Sequence, residues 1–163
     1  MRPAAPDDRA VVERLLAALQ DVERALCDDR PPGATMAAEH LAYLEATVAA
    51  CDGAILVAEV DRVVVGFVAA FVQAEDEGDA HLEPSARRWG WIGDLYVEPR
   101  MRRRGIAAAL LDAAERHFAA HGLTRVKLAF VARNVAARDV YVRRGYGPYE
   151  EIWEKRLVPD APA

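Results

Sequence analysis

Lysine is nearly missing from this 163-residue chain: only Lys127 and Lys155 occur, and the rest of its 21 basic residues are arginine. Together with the abundant alanine, that skew reads as a biased genome rather than a function. Cysteine is equally scarce. Cys27 and Cys51 have neither metal-ligand nor C-x-x-C spacing, so they read as reduced cytosolic thiols, with a single disulfide as the alternative. No long apolar run exists. The longest, Val63 to Val72, is half of the roughly 20 residues that a membrane helix needs. The N-terminal Met-Arg-Pro-Ala-Ala-Pro-Asp-Asp has no apolar h-region, so no secretory signal is expected and the chain is placed in the cytoplasm. A positive balance is absent too: the net charge of −5 argues against nonspecific binding to nucleic acid or to an anionic membrane. Phosphate loops ending in Gly-Lys-Ser/Thr, G-x-G-x-x-G turns and H-E-x-x-H helices are all missing, and no metal is expected.

What remains is ordinary globular material, 53% hydrophobic and 29% charged, of a size that suits one domain with a sizeable core. We expect that domain over residues 1–158, with a short tail over 159–163. Met1 to Pro3 suggests a very short strand. Asp7 or Asp8 then caps a helix to about Leu26, with Val12, Leu15, Leu16, Leu19, Val22 and Leu26 on one face. Arg30-Pro-Pro-Gly33 breaks it, and a second helix runs from about Met36 to Ala50. Ala54–Val60 and Val63–Gln73 form a hairpin, with Gly66 marking a bulge or a close backbone approach. A polar connection from Ala74 to Arg88 carries Glu75, Asp76, Glu77, Asp79 and Glu83, and loops this long are commonly functional or disordered. If it overhangs a cleft, it favours a cationic ligand; the alternative is a charged loop that is simply solvated.

A strand over Trp89–Val97 follows, then a helix from about Arg104 to His121, a strand over Arg125–Val131, a short helix from Asn134 to about Arg144 and a last strand over Tyr149–Leu157. The order β-α-α-β-β-β-α-β-α-β implies an α/β (α+β) fold, a mixed sheet with helices on its faces. Trp89 and Trp91 alternate with Gly90 and so share a face, either packed in the core or lining a cleft. His117 and His121 read as surface or C-cap residues; His40 carries no signal, and His81 is a second-rank base candidate.

The segment Leu95-Tyr-Val-Glu-Pro-Arg-Met-Arg-Arg-Arg-Gly-Ile-Ala107 holds the chemistry. Proline halts a strand, and a basic turn leads straight into an amphipathic helix. The first N–H groups of that helix have no intrahelical partner, and its dipole adds positive potential, which makes an anion site suited to a phosphate or pyrophosphate. Gly105 allows close backbone approach, Ala107 keeps the next position small, and Arg102, Arg103 and Arg104 add charge-assisted hydrogen bonds.

This turn resembles the cofactor motif Gln/Arg-x-x-Gly-x-Gly/Ala of the GCN5-related N-acetyltransferase (GNAT) superfamily, with Arg102, Gly105 and Ala107 in place. A second stretch, Asn134-Val-Ala-Ala-Arg-Asp-Val-Tyr-Val-Arg-Arg-Gly-Tyr146, resembles the family's Asn-x-x-Ala-x-x-x-Tyr-x-x-x-Gly-Phe/Tyr signature. The resemblance implies the acyl-CoA N-acyltransferase fold, a mostly antiparallel sheet with a splayed parallel pair of strands that holds the pantetheine arm. It implies direct acetyl transfer from acetyl-CoA to a primary amine of a small molecule or peptide. Cofactor contacts then fall on Leu95, Tyr96, Val97, Arg102, Arg103, Arg104, Gly105, Ile106, Ala107, Asn134 and Tyr141. Tyr141 faces the departing sulfur, and Asp94 is the one acid in the strand where relatives carry a catalytic carboxylate; many have a glutamate at or just before the position of Gly93. The resemblance also implies a homodimer, which no residue of the sequence specifies. Two other readings stand beside it: a non-catalytic acyl-CoA-binding regulatory domain, and a nucleic-acid module resting on the arginine run alone.

Overall fold

The computed structural model describes residues 1–76 and 78–157. Glu77 of the acidic connection and the expected tail over 159–163 lie outside the described residues. Strand β1 (Arg2–Pro3) precedes helices α1 (Arg9–Arg24) and α2 (Gly33–Ala50). The hairpin β2 (Ala54–Val60) and β3 (Val63–Ala74) follows, then β4 (Arg88–Val97), α3 (Ile106–Ala120), β5 (Val126–Leu128) and α4 (Val135–Arg143). The strands form one sheet in the order β1-β2-β3-β4-β5. The first four are antiparallel and β5 runs parallel to β4, so the mixed, mostly antiparallel sheet expected from the sequence is present. Among the described residues no helix is long and apolar enough to cross a membrane.

Both faces of the sheet are covered. On one, Val12, Leu15 and Leu16 of α1 and Ala37, Leu41 and Leu44 of α2 pack on Val57, Phe67 and Ala69. On the other, Ile106, Leu110, Leu111, Ala114 and Phe118 of α3 meet Ala58, Val68 and Ile92. Each such large apolar side chain contributes about 1.5–3 kcal/mol of burial free energy, so the two helical layers hold the sheet from both sides.

Local details depart from expectation for identifiable reasons. Asp8 occupies the N-cap position of α1 but does not cap it; its carboxylate turns back to accept from the Ala5 amide at 2.7 Å and from Arg2. Helix α2 starts at Gly33, earlier than Met36, because its first turn is bound to α1: the Gly33 amide donates to Asp21 Oδ1 at 2.8 Å. A β-carbon there would lie 2.0 Å from the carbonyl oxygen of Ala17. Gly66 fulfils both of its expectations. The β2–β3 register shifts beside it, and a β-carbon on it would lie 2.7 Å from the Tyr96 carbonyl oxygen. Cys27 and Cys51 are free thiols.

Two strand assignments are corrected. The strand expected over Arg125–Val131 spans only Val126–Leu128, and Tyr149–Leu157 forms no strand. Neighbours Ile152 and Trp153 are both exposed, and charged residues fill much of the rest, so that segment lacks the one-sided alternation that docks a strand on a sheet. It is tethered instead through Lys127, whose ammonium sits 3.9 Å from the Trp89 ring centroid and 4.4 Å from that of Tyr149.

Candidate active site

The site begins with a defect in β4. Ala69 pairs with Asp94 but Ala70 pairs with Ile92, so Gly93 is an extra residue, a β-bulge. A one-residue bulge reverses the alternation of the strand. Ahead of it, the Gly90 amide donates across to Arg125 of the β5 side at 2.9 Å. Beyond it, the Glu98 amide donates to Val65 of β3 at 2.9 Å, so Asp94 and Tyr96 also face β3. The amides of Leu95 and Val97 therefore face away from β3.

On that side β5 is no longer present. The parallel ladder holds only Gly90↔Val126, Trp91↔Lys127 and Ile92↔Leu128, and the two strands part after it. The expected splayed pair is thus realised, with free backbone donors along one wall. Tyr141 of α4 stands on the α3 side of the sheet, buried with Phe130 and Tyr146 at ring-centroid distances of 5.4 and 6.0 Å. Its hydroxyl makes no hydrogen bond among the described residues. Burial, together with the charges of Glu23 and Asp94, pushes its pKa up to about 12.

Below the slot, the turn Glu98–Gly105 is built from its own side chains. Buried Glu98 accepts from Arg14 and Arg100, each at 2.9 Å. Arg102 Nε donates to the Val97 carbonyl at 3.0 Å, and its guanidinium lies 5.4 Å from the Tyr96 ring centroid. Arg102 therefore braces the turn as well as adding charge. Arg103 is exposed with a left-handed φ of 59°, and Gly105 follows at φ 79°. No atom lies within 4 Å of a β-carbon built on Gly105, so its present role is conformational: it turns the chain into α3, whose first-turn amides have no intrahelical partner. Ile106 is buried and Ala107 packs against the same core. Free helix-start amides beside three arginines give this turn the chemistry of an anion site.

Asn134 caps α4 as expected, its side chain accepting from the Ala137 amide at 3.1 Å; its amide nitrogen is not used in that bond. At the other end of α4, Arg144 pairs with Asp112 and Glu115, and the Tyr146 hydroxyl donates to Glu115 at 2.9 Å. The second sequence motif thus ties α4, and with it Tyr141, to α3.

On the opposite face, a cleft of about 480 Å³ opens between α1, α2 and the bulge, lined among others by Glu23, His40, Tyr43, Trp91 and Asp94. Trp91 thereby resolves to a cleft residue. His40 Nε2 lies 3.3 Å from Asp94 Oδ2. The hydrogen bond to Asp94 raises the His40 pKa above 6.5 against the opposing effect of burial, with the charges of Asp94 and Glu23 adding to it. Burial raises the Glu23 carboxyl, opposed by Arg30 and reinforced by Asp94. Sequence reasoning missed both His40 and Glu23. The signal was spacing: Gln20 and Glu23 follow the core residues Leu16 and Leu19 at helical intervals, and His40 and Tyr43 follow Met36 in the same way.

The acidic connection does not line this cleft among its described residues. His81 takes up two of its acids, at 2.6 Å from Asp79 Oδ1 and 3.2 Å from Glu75 Oε1. His117 and His121 hold backbone carbonyls, of Asp52 and His117 respectively. A larger depression of about 780 Å³ lies between Cys27 and Arg133, where Asp28 and Arg156 are already paired.

A profile of the Acetyltransferase (GNAT) family matches residues 19–146. A mycothiol acetyltransferase from Paenarthrobacter aurescens is 34% identical over 70 residues, a stretch covering 43% of this chain and 21% of that protein. The chain thus spans about a fifth of the length of that relative. A GCN5-related N-acetyltransferase from Ralstonia eutropha is 26% identical with a TM-score of 0.72, covering 95% of this chain and 96% of the other. The aminoglycoside N-acetyltransferase AAC(6′)-Iy, solved with CoA and with a CoA-linked bisubstrate analogue, has a TM-score of 0.70 at 21% identity. In the analogue complex the match covers 96% of each chain.

Proposed function

Because the chain belongs to the acetyltransferase (GNAT) family, we propose that it transfers the acetyl group of acetyl-CoA directly to a primary amine, with residues 1–158 acting as one domain. The observation that carries this reading is the open edge of β4 after the Gly93 bulge. That edge leaves the Leu95 and Val97 amides unpaired on the strand that leads into the Gly105 turn. Acetyl-CoA, as co-substrate, brings the activated acyl group; the chain supplies positioning and charge stabilisation. Exposed first-turn amides of α3, from Gly105, Ile106 and Ala107, with Arg103 and Arg104, hold the pyrophosphate. Arg102 and Tyr96 brace that turn, and Asn134 offers its amide to the pantetheine arm. The Leu95 and Val97 amides donate to the carbonyl oxygen as charge develops there.

Tyr141 donates a hydrogen bond to the leaving sulfur. With its pKa at about 12 against about 8.5 for a thiol, full transfer of its proton is uphill by about 5 kcal/mol. Stabilisation of the thiolate is therefore its role. Asp94, on the other side of the slot, faces the acceptor.

The acceptor is a small cationic amine or a lysine-bearing peptide, supported by Glu23 and Asp94 in the cleft. The bisubstrate complex of AAC(6′)-Iy supports a small-molecule acceptor. A cytoplasmic site is supported by the two free cysteines, and a homodimer by exposed Ile152, Trp153 and Leu157.

Calorimetry with acetyl-CoA, on wild type and Gly105→Glu, tests the cradle; thiol release against a panel of amines tests turnover. Binding abolished by the new carboxylate, with amine-dependent thiol release, is expected. Binding without release from any amine would instead make the chain an acyl-CoA-binding domain.

A further inference from the structure

The acceptor ammonium must lose a proton before it can attack: with a pKa near ~10.4, only about one amine in a few thousand is free at neutral pH. A lone carboxylate with a reference pKa of about 3.9 is a poor acceptor for that proton, whereas an imidazole near about 6.5 is matched to the task. The Gly93 bulge turns Asp94 toward α2, where His40 Nε2 lies 3.3 Å from its Oδ2. His40 itself lines the cleft and is stacked on Tyr43 at 5.7 Å between ring centroids.

We propose that His40 is the base that takes the acceptor's proton, with Asp94 as the positioning residue that fixes its tautomer and orientation. This rests on the acetyltransferase reading. In the neutral imidazole, Nε2–H donates to Asp94, which leaves Nδ1 as the acceptor. One ammonium proton moves to Nδ1. The freed nitrogen pair forms the C–N bond to the acyl carbon while the C–S bond breaks and its electrons leave on sulfur. The remaining excess proton on nitrogen goes to the thiolate, giving free thiol, and His40 returns its own to solvent.

The groups facing His40 set its working range. Asp94 on β4 and Glu23 on α1 favour the imidazolium, and partial burial opposes it. Arg30, in the loop before α2, pairs with Glu23 at 3.5 Å, and Tyr43 stacks on the ring. Tyr141, on α4, feels the same two acids and stays neutral. Because the neutral imidazole is the active form, kcat/KM rises with pH through a value above 6.5.

The test is the pH profile of kcat/KM for wild type, His40→Gln and Asp94→Asn, with acetyl-CoA affinity and thermal melts confirming that each variant folds. Glutamine can keep the bond to Asp94 but cannot titrate. The proposal expects His40→Gln to lose the acid limb and about 100-fold in kcat. It expects Asp94→Asn to move the limb down toward 6.5. An active wild type whose His40→Gln variant keeps the limb, or keeps kcat within about 2-fold on a scale where base catalysis gives about 100-fold, overturns this proposal alone. An NMR titration in which the pKa of His40 does not match the acid limb of wild-type kcat/KM also overturns it. A wild type that releases no thiol with any amine overturns the acetyltransferase reading, and this proposal with it.

Discussion

The ring of Phe118 occupies the space that Gly90 leaves empty: a β-carbon on Gly90 would lie 2.4 Å from it. Phe118 is fully buried near the end of α3, and Gly90 begins the ladder to β5. The contact therefore seats the helix that starts at the anion cradle against the strand that provides the free amides.

Gly90→Ala should push the two elements apart. Overpacking of this kind costs about 1–3 kcal/mol. Urea unfolding should show a lower midpoint at an unchanged m-value. A midpoint equal to wild type would mean that Phe118 yields without strain.

Gly105→Ala probes conformation without bulk, since no atom lies within 4 Å of the added carbon. The left-handed φ of 79° costs an alanine about 1–2 kcal/mol. The helix start should loosen, and acetyl-CoA affinity measured by calorimetry should fall by about 5–30-fold if that strain is paid on binding. Unchanged affinity would separate the turn from the ligand.

Tyr141→Phe removes a hydroxyl that has no protein partner among the described residues. Hydrogen bonds to charged groups contribute about 1.5–3 kcal/mol, so kcat should drop about 10–150-fold while acetyl-CoA affinity holds. Because the Tyr141 pKa is about 12, its ionisation should leave no basic limb below pH ~10. A phenylalanine variant with wild-type kcat would remove Tyr141 from the chemistry.

Acid stability should report Asp8. The hydrogen bond from Arg2 holds its carboxyl below 3.8 against burial, helped by the Ala5 amide. A depressed folded pKa means stability that is present above the unfolded pKa and lost as pH falls through the folded one. The melting temperature should therefore fall on acidification below 3.8, and Asp8→Asn should flatten that part of the curve. Parallel curves for variant and wild type would contradict the assignment.

The two motifs were legible because each is local. Strand, turn and helix follow one another from Leu95 to Ala107, and Asn134 caps its own helix, so neighbours in sequence are neighbours in space. The acidic connection was legible only as charge: composition left it either overhanging a cleft or simply solvated, and the fold turns Glu75 and Asp79 toward His81. His40 and Glu23 were invisible because each sits on a different helix, one turn away from an obvious core stripe. The strand expected over Tyr149–Leu157 does not form because its apolar residues do not alternate onto one face that a sheet could cover.

Sequence alone determined the helices, the hairpin and the left-handed turn at Gly105, because helix periodicity, capping and left-handed turns are set by residues within a few positions of one another. Only the tertiary structure decided which way Asp94 points. Simple alternation along β4 would put it with Ile92 on the α3 side. The extra residue at Gly93 reverses the phase, turns the carboxylate to His40 and aims the Leu95 and Val97 amides into the slot. A bulge is a property of pairing between strands, and β3 and α2 supply the partners that make it matter.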